Sequence, residues 1–464
     1  MRVLKFGGSS VADRAQIEKV LGIVRAAAAK DRVIVVSSAH KGITAALVHA
    51  AERAAAGSYE PRAVIERQHA IAGSLGCPAD LLDGLFAELR DLLRGVHLVG
   101  ELSPRSLDYV SSFGERMAVR VIADFFAREG LPADAYDVWE LGFVTDAVHG
   151  AARPVPGWEA RAQAAVDALP PGRVPIVTGF VGKTAQGVVT TVGRNGSDLT
   201  ATLLAAALRA LEARNWTDTP GVRPAEPAHL GAAGGVGWAA ADGVGTADPS
   251  VIAGARNIPH MRFEEAAELA YFGSRVLHPS TLLPAMAASI PVRVLNTNRP
   301  EHPGTVIQAV GPANPSPVTS VAYKESQAVL TVTATRMFGA VGFLADVFGV
   351  LARHGVSVDV VTTSEVSVSL TAHGVAAVER ALPDLEPLGR VRVERGRTIL
   401  AVVGQNLAAS RGTGARVLHA VAEADVNVEM VSYASGSLNL QMVIRDEDIR
   451  PAVSALHRML FETQ

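Results

Sequence analysis

The chain holds a single cysteine, Cys77, in 464 residues. No intrachain disulfide can form, and the composition fits a reducing compartment. Cys77 sits in LGCPAD, which reads as a loop in a helical region and not as a nucleophile's setting. Charge is scarce as well: 19% of residues are charged and the net charge is −3. No general attraction to nucleic acid or anionic lipid is expected, so any anion must be bound locally. No apolar run approaches the roughly 18 residues of a membrane span, and the N-terminus lacks the apolar core of a signal peptide. The expectation is a soluble cytoplasmic protein without nucleic-acid or membrane partners. His40, His69, His149, His260 and His278 show no metal-ligand spacing, which predicts no metal site. A P-loop is missing too: GKT at Gly182 to Thr184 has Val177 where the first glycine must stand, and a strand follows it. GVGWAA matches a dinucleotide fingerprint only formally, because no strand precedes it.

What the chain does have is apolar mass in alternating patterns. Apolar residues make up 48% of it, and the length predicts about two to four domains. VLKF is followed by Ile17, Val20, Leu21 and Val24 at helical spacing, then by the run VIVV at Val33 to Val36. Strand, helix, strand is the unit of a buried parallel sheet. Helical periodicity holds from about Ala45 to Arg94, and DYVSSFGERMAVRVIADFFAREG reads as a turn leading into a long helix. VPIVTGFVG and VVTTVG read as two buried strands, and GSDLTATLLAAAL as a helix with Ser197 available as N-cap. Up to about residue 300 this pattern predicts one α/β domain.

From about Ser326 the rhythm shortens. AVLTVTA, GFLADVFGVLARHG, SVDVVTT, EVSVSLTA, VAAVERAL and RVRVE predict β-α-β-β-α-β, and the order returns in RTILAVVG, TGARVLHAVAEA, VNVEMV and LNLQMVI, ending in a helix near PAVSALHRML. An internal repeat of two small α+β units is expected, preceded by a linker rich in proline and glycine from PEHPGT to NPSPVT.

Four turns share a composition. LKFGGSS, SSAHKGIT, SSFGERM and GRNGSD each join small residues to a charge or hydroxyl, with WTDTPG as a fifth loop. In a parallel sheet such turns gather at the carboxyl edge of the strands, where open α/β folds bind ligands. Gly7 and Gly8 allow a close backbone approach, so LKFGGSS alone is either a phosphate cradle or an ordinary strand-to-helix turn. Lys5 with the N–H groups of Gly7 to Ser9 suits phosphates, and Asp198 suits a lysine or Mg²⁺. Arg194 offers a fork for a carboxylate and Glu115 an acceptor for an ammonium group. The plain alternatives are an Arg194–Glu115 salt bridge and an Asp198 that helps cap its helix. Taken together the turns describe a site for ATP beside a small amino acid.

KFGGSSVAD, SFGERMA, GRNGSDLTATLLA, WTDTPGV, FEEAAELAYFGSRVLHPSTL and SVDVVTTSEVSVSLT, in that order, resemble the signature set of the aspartate kinases over nearly the whole chain. The C-terminal pattern resembles the single-chain, lysine-inhibited type. The resemblance implies an α/β amino-acid kinase domain (a carbamate-kinase-like three-layer sandwich with a mainly parallel sheet) over 1–300, a linker over 301–322, and two α+β, ferredoxin-like ACT domains over 323–396 and 397–464. It implies phosphorylation of the β-carboxylate of L-aspartate by ATP with Mg²⁺, the first step of lysine, threonine and methionine biosynthesis, with no tightly bound cofactor. Matched position by position, Lys5 and Asp198 are catalytic, and Gly7, Gly8, Ser9, Thr217, Asp218 and Arg275 join Lys5 on ATP. Ser38, Ala39, Thr44, Glu115, Arg194 and Ser197 hold aspartate. An effector lysine falls to Met337, Ser357, Val358, Asp359, Thr363, Ser364 and Glu365 at an ACT interface between subunits of a homodimer or homotetramer.

The departures from that family gather on the nucleotide side. Asn195 replaces the second glycine of GRGGSD, Arg214 and Asn215 stand where an apolar strand is expected, Ser250 replaces an arginine and Arg275 a lysine, and a long Ala/Gly/Pro insertion intervenes. Two functions follow: an active aspartate kinase with an altered adenine pocket, or a catalytically weak homologue that senses an amino acid. The joint presence of Lys5, Glu115, Arg194 and Asp198 favours the first.

Overall fold

The computed structural model describes residues 1–217, 239–240, 243–248, 251–252, 255–272, 278–311, 316–337 and 341–462. The chain divides into two compact units, Met1–Thr219 with Leu277–Val310, and Pro220–Val276 with Gly311–Gln464. The strands of the first are β1 (Arg2–Phe6), β2 (Val33–Ser37), β3 (Ala133–Tyr136), β4 (Val144–Thr145), β5 (Val174–Thr178), β6 (Val181–Thr184), β7 (Val189–Thr191), β8 (Ala213–Thr217), β9 (Val292–Asn296) and β10 (Thr305–Gln308). Seven of them form one sheet in the order β10-β9-β8-β1-β2-β5-β3, parallel except for β10. VIVVS and VPIVT are buried at every position, as a sheet covered on both faces requires. Helices α1 (Arg14–Ala28), α2 (Ile43–Ala55), α3 (Arg62–Ser74), α4 (Asp83–Val99), α5 (Pro104–Arg128), α6 (Trp158–Asp167) and α7 (Gly196–Ala207) make the connections. Leu4, Phe6, Ile17, Leu47, Phe86, Leu89, Phe113 and Met117 share the core on one side of the sheet.

Three local expectations are corrected. SSFGERM is no turn: it lies inside α5, which starts at Pro104 with Ser103 accepting the Ser106 N–H as N-cap. Gly114 serves close approach there, since a Cβ on it would lie 2.8 Å from the Ala39 Cβ. Ser197 does not cap α7; Asn195 occupies the N-cap position without a side-chain hydrogen bond, at φ 53°, a left-handed conformation that Asn tolerates better than most residues. VPIVTGFVG is not one strand: it breaks at Phe180, φ 65°, sending β5 to the large sheet and β6 to a three-stranded one in the order β4-β6-β7.

The second unit carries β11 (Ser320–Thr333), β12 (Ser357–Thr363), β13 (Ser367–His373), β14 (Arg390–Val403), β15 (Met430–Ser432) and β16 (Asn439–Arg445). They form an antiparallel sheet in the order β12-β13-β11-β14-β16-β15. Its helices are α8 (Phe263–Tyr271), α9 (Phe343–Arg353), α10 (Val375–Leu385), α11 (Thr413–Glu423) and α12 (Ile449–His457). Leu330, Val332, Phe343, Val347, Leu370 and Val378 pack the first repeat's core. RVRVE and RTILAVVG, expected as separate strands, are one strand of 14 residues, β14, carried through Gly396 at φ 68° because β11 keeps pairing alongside. The register shifts between Lys324 and Val329, where Ser326 has φ 57°, the mark of a β-bulge. Each long strand therefore serves both repeats. Val329–Thr333 of β11 lies between β13 and the first half of β14, while Ser320–Lys324 pairs with the second half, which continues to β16. Among the described residues no helix is long and apolar enough to cross a membrane.

Candidate active site

Lys5 lies on β1, in register with Val36 of β2 and Asn215 of β8. It is 9% exposed, and its Nζ lies 2.7 Å from Asp198 Oδ1. Asp198 sits in the first turn of α7, where the helix dipole favours a carboxylate. Beyond Lys5 the chain turns at Gly7 and Gly8. A Cβ on Gly8 would lie 2.7 Å from the Ala39 carbonyl oxygen; this glycine is required first by the neighbouring loop. Ser9 completes the turn, which closes with the Ser10 N–H donating to the Gly7 carbonyl at 2.9 Å.

The loop after β2 brings Ser38 and Ala39 to α5. The Ser38 N–H donates to the Phe6 carbonyl, and the Ala39 N–H to Glu115 Oε1 at 3.1 Å. Glu115 is 3% exposed, and its Oε2 has no hydrogen-bond partner among the described residues. Burial pushes its carboxyl up to about 8, against the opposing pull of the Ala39 N–H. The Arg194–Glu115 salt bridge is therefore not formed. Thr44 stands at the same contact, its Oγ1 3.4 Å from where a Gly114 Cβ would be.

Arg194 is exposed in the turn between β7 and α7. That turn is fixed from below by Asp108 of α5, which accepts from Thr191 Oγ1 at 2.6 Å, from His149 Nδ1 at 2.7 Å and from the Gly150 N–H. A Cβ on Gly193 would in turn meet the Gly150 carbonyl at 2.9 Å. Ser197 is buried against Gly179, where a Cβ would come within 2.6 Å of its own. Two residues near this turn escaped the sequence reading. Phe180 holds a positive φ beside Gly196, a strain of the kind found at ligand sites. Burial, and then the charge of Arg194, lower the pKa of His278 below its usual value; the usable signal was its place in the SRVLHP motif. Thr217 ends β8, its carbonyl accepting the Thr297 N–H at 2.8 Å. Asp218, Ser250 and Arg275 lie outside the described residues.

Arg214, unexpected in a buried strand, is satisfied by Glu212, which also binds Arg2 and Arg293. Burial raises the Glu212 carboxyl, but Arg214 and Arg293 outweigh it and the net shift is downward.

In the second unit, Ser357, Val358, Asp359 and Thr363 lie on β12 and Ser364 and Glu365 in the exposed turn after it, with Met337 in a short 3₁₀ turn, Thr335–Met337. Asp359 is not free. Its carboxylate is 3% exposed, lies 2.6 Å from Lys324 Nζ and accepts from the Tyr271 hydroxyl. Lys324 Nζ also stands 5.2 Å from the centre of the Tyr271 ring.

A parallel α/β unit with a lysine-and-glycine turn at its carboxyl edge, followed by paired α+β repeats, defines an amino-acid kinase joined to ACT domains. The amino acid kinase family matches residues 1–233 and 228–296, and an ACT domain matches 400–460. The chain is 35% identical to lysine-sensitive aspartokinase 3 of Escherichia coli, over 99% of each chain. It is also 35% identical to the chloroplastic aspartokinase 1 of Arabidopsis thaliana, over 99% of this chain and 80% of that one. The crystal structure of E. coli aspartokinase III with aspartate and ADP is similar at a TM-score of 0.76 and 33% identity, covering 99% of this chain and 100% of that one. The same enzyme with lysine and aspartate gives 0.75 at 33% identity, covering 99% of each chain. The chain belongs to the aspartokinase family and is an aspartate kinase.

Proposed function

We propose that this aspartate kinase uses Lys5 to neutralise the phosphoryl group passing from ATP to the β-carboxylate of L-aspartate, with Asp198 holding the lysine in place. Gly7, Gly8 and Ser9 line the phosphates, and Thr217, Asp218 and Arg275 meet the nucleotide. Arg194 takes the α-carboxylate of aspartate and Glu115 its ammonium group, with Ser38, Ala39, Thr44 and Ser197 closing the pocket. The observation that carries this reading is Glu115. A buried carboxylate with one oxygen unpartnered and no ion pair among the described residues is a poor structural element and a good receptor for an ammonium ligand. Among the described residues no three acidic, histidine or cysteine side chains gather as a metal cage. Asp198 and the phosphates fit Mg²⁺ arriving as MgATP. As in phosphoryl transfer generally, the protein's share is positioning and charge neutralisation.

Catalysis is assigned to the 1–300 region and regulation to the ACT domains, with L-lysine as effector, ACT sheets shared in a homodimer or homotetramer, and a cytoplasmic setting. An effector ammonium reaching Asp359 must exchange with Lys324 and Tyr271. The test is aspartate-dependent ADP release with MgATP, trapping the acyl phosphate as hydroxamate, with and without millimolar L-lysine. Hydroxamate formation suppressed by lysine is the expected result. Product without suppression removes the effector, and no product with ATP or GTP removes the reading.

A further inference from the structure

A cavity of about 150 Å³ opens on the first unit between α5 and the β6–β7 hairpin, and neither Lys5, Glu115 nor Arg194 lines it. Its charged and aromatic walls are Glu88, Arg105, Tyr109, Arg116, Trp139 and Lys183. Three cations thus face one carboxylate, and that carboxylate is already spent: Glu88 accepts from the Tyr109 hydroxyl and from Arg116 Nη2 at 3.1 Å. The next nearest acid, Asp137, lies 3.5 Å from Arg116 Nε but is held by both Nη atoms of Arg120, at 3.0 and 3.2 Å. Arg116 Nε stays buried without a hydrogen bond.

Two of the cations also lie against rings, Arg116 in addition to its pairing with Glu88. Lys183 Nζ stands 4.6 Å from the centre of the Trp139 ring, and the Arg116 guanidinium 4.9 Å from that of Phe113. Ring faces attract a cation without neutralising it. Arginine forks and a lysine ammonium, left with donors to spare around a cavity, match the oxygens of a carboxylate or phosphate.

We propose that this cavity is a second ligand site, taking a small anion that carries a carboxylate or a phosphate group. Its walls belong to the elements that carry the aspartate contacts. Arg116 follows Glu115 on α5, and the hairpin bearing Lys183 runs through β7 into the Gly193–Arg194 turn. An occupant clamps both elements and changes the KM for aspartate. The coupling rests on the aspartate assignment above; the binding does not.

The test is calorimetric titration of the full chain with inorganic phosphate and, separately, succinate, with a non-hydrolysable MgATP analogue and L-aspartate both saturating so that the first site, its transferable phosphoryl position included, is filled. One of the two probes is expected to bind at a single site, with the stronger naming the anion class. Lys183→Met and Arg105→Ala should each weaken it at least tenfold, whereas Lys30→Met, a surface control, should leave it unchanged. All three side chains are partly or fully exposed, so folding is retained, and far-UV circular dichroism checks it. Absence of heat with both probes, or equal affinity in wild type and both variants, overturns the site. An aspartate KM that does not move when the site is saturated overturns the coupling alone.

Discussion

Glu115 carries a proton that the unfolded chain would release. Burial raises its carboxyl from 4.5 to about 8, so the folded state binds that proton more tightly, and stability declines as pH rises from about 4.5 to 8. His40 slopes the other way: burial lowers it from 6.5 to about 4, and stability is lost as pH falls through that window. The two oppose each other where the windows overlap, leaving Glu115 alone above pH 6.5. Glu115→Gln is expected to abolish the decline between pH 6.5 and 8, read from urea midpoints. In the wild type the KM for aspartate should fall as pH rises toward 8, by about tenfold per unit, and in the variant it should be high and flat. Lys5→Met is expected to lower turnover by on the order of 10³-fold while lysine binding by the ACT domains persists, measured by hydroxamate assay and calorimetry. The residue types of this site were legible because lysine beside paired glycines, and charge in small-residue turns, are rare in core strands. Phe180 was not: nothing in an apolar letter announces a positive φ.

At the scale of elements, α5 shows how a motif can hide inside a helix. A glycine in the stretch SSFG reads as a turn, yet here its missing Cβ lets the Ala39 loop press against the helix carrying Glu115. Gly114→Ala would gain about 1 kcal/mol of helix propensity on an open surface. At this contact the 2.8 Å approach to Ala39 reverses the sign, and a net loss of about 1–3 kcal/mol is expected, with a raised KM for aspartate. Thermal unfolding and steady-state kinetics check it; a rise in melting temperature would count against the contact. Part of the element order was legible from periodicity, namely β1, α1 and β2 and the α+β repeats of the second unit, since buried parallel strands and amphipathic helices write different patterns. The strands β3, β4, β9 and β10 were not, being short, and β10 (Thr305–Gln308) falls within the stretch expected as a linker. The union of RVRVE with RTILAVVG was not, because ERGR has turn composition and its extended path is imposed by the neighbouring strand β11.

For the molecule as a whole, the ion pair between Lys324 and Asp359 bears on regulation. It sets an internal ammonium group on Asp359, the carboxylate proposed above for an effector's ammonium. Removing it with Lys324→Met should leave only the Tyr271 hydroxyl for the ligand to displace from Asp359 and lower the half-inhibitory lysine concentration by about tenfold. An inhibition curve that is unchanged or shifted upward would sink the exchange. The sharing of β11 and β14 reaches further. The strand at Ser320–Lys324 completes the second repeat although it precedes the first, and the seam between the repeats falls within β14. Considered as genetic material, the region offers no crossover point between the two repeats. A recombination event at their apparent border would sever a strand in both offspring, so the pair is expected to pass between genes only as a whole.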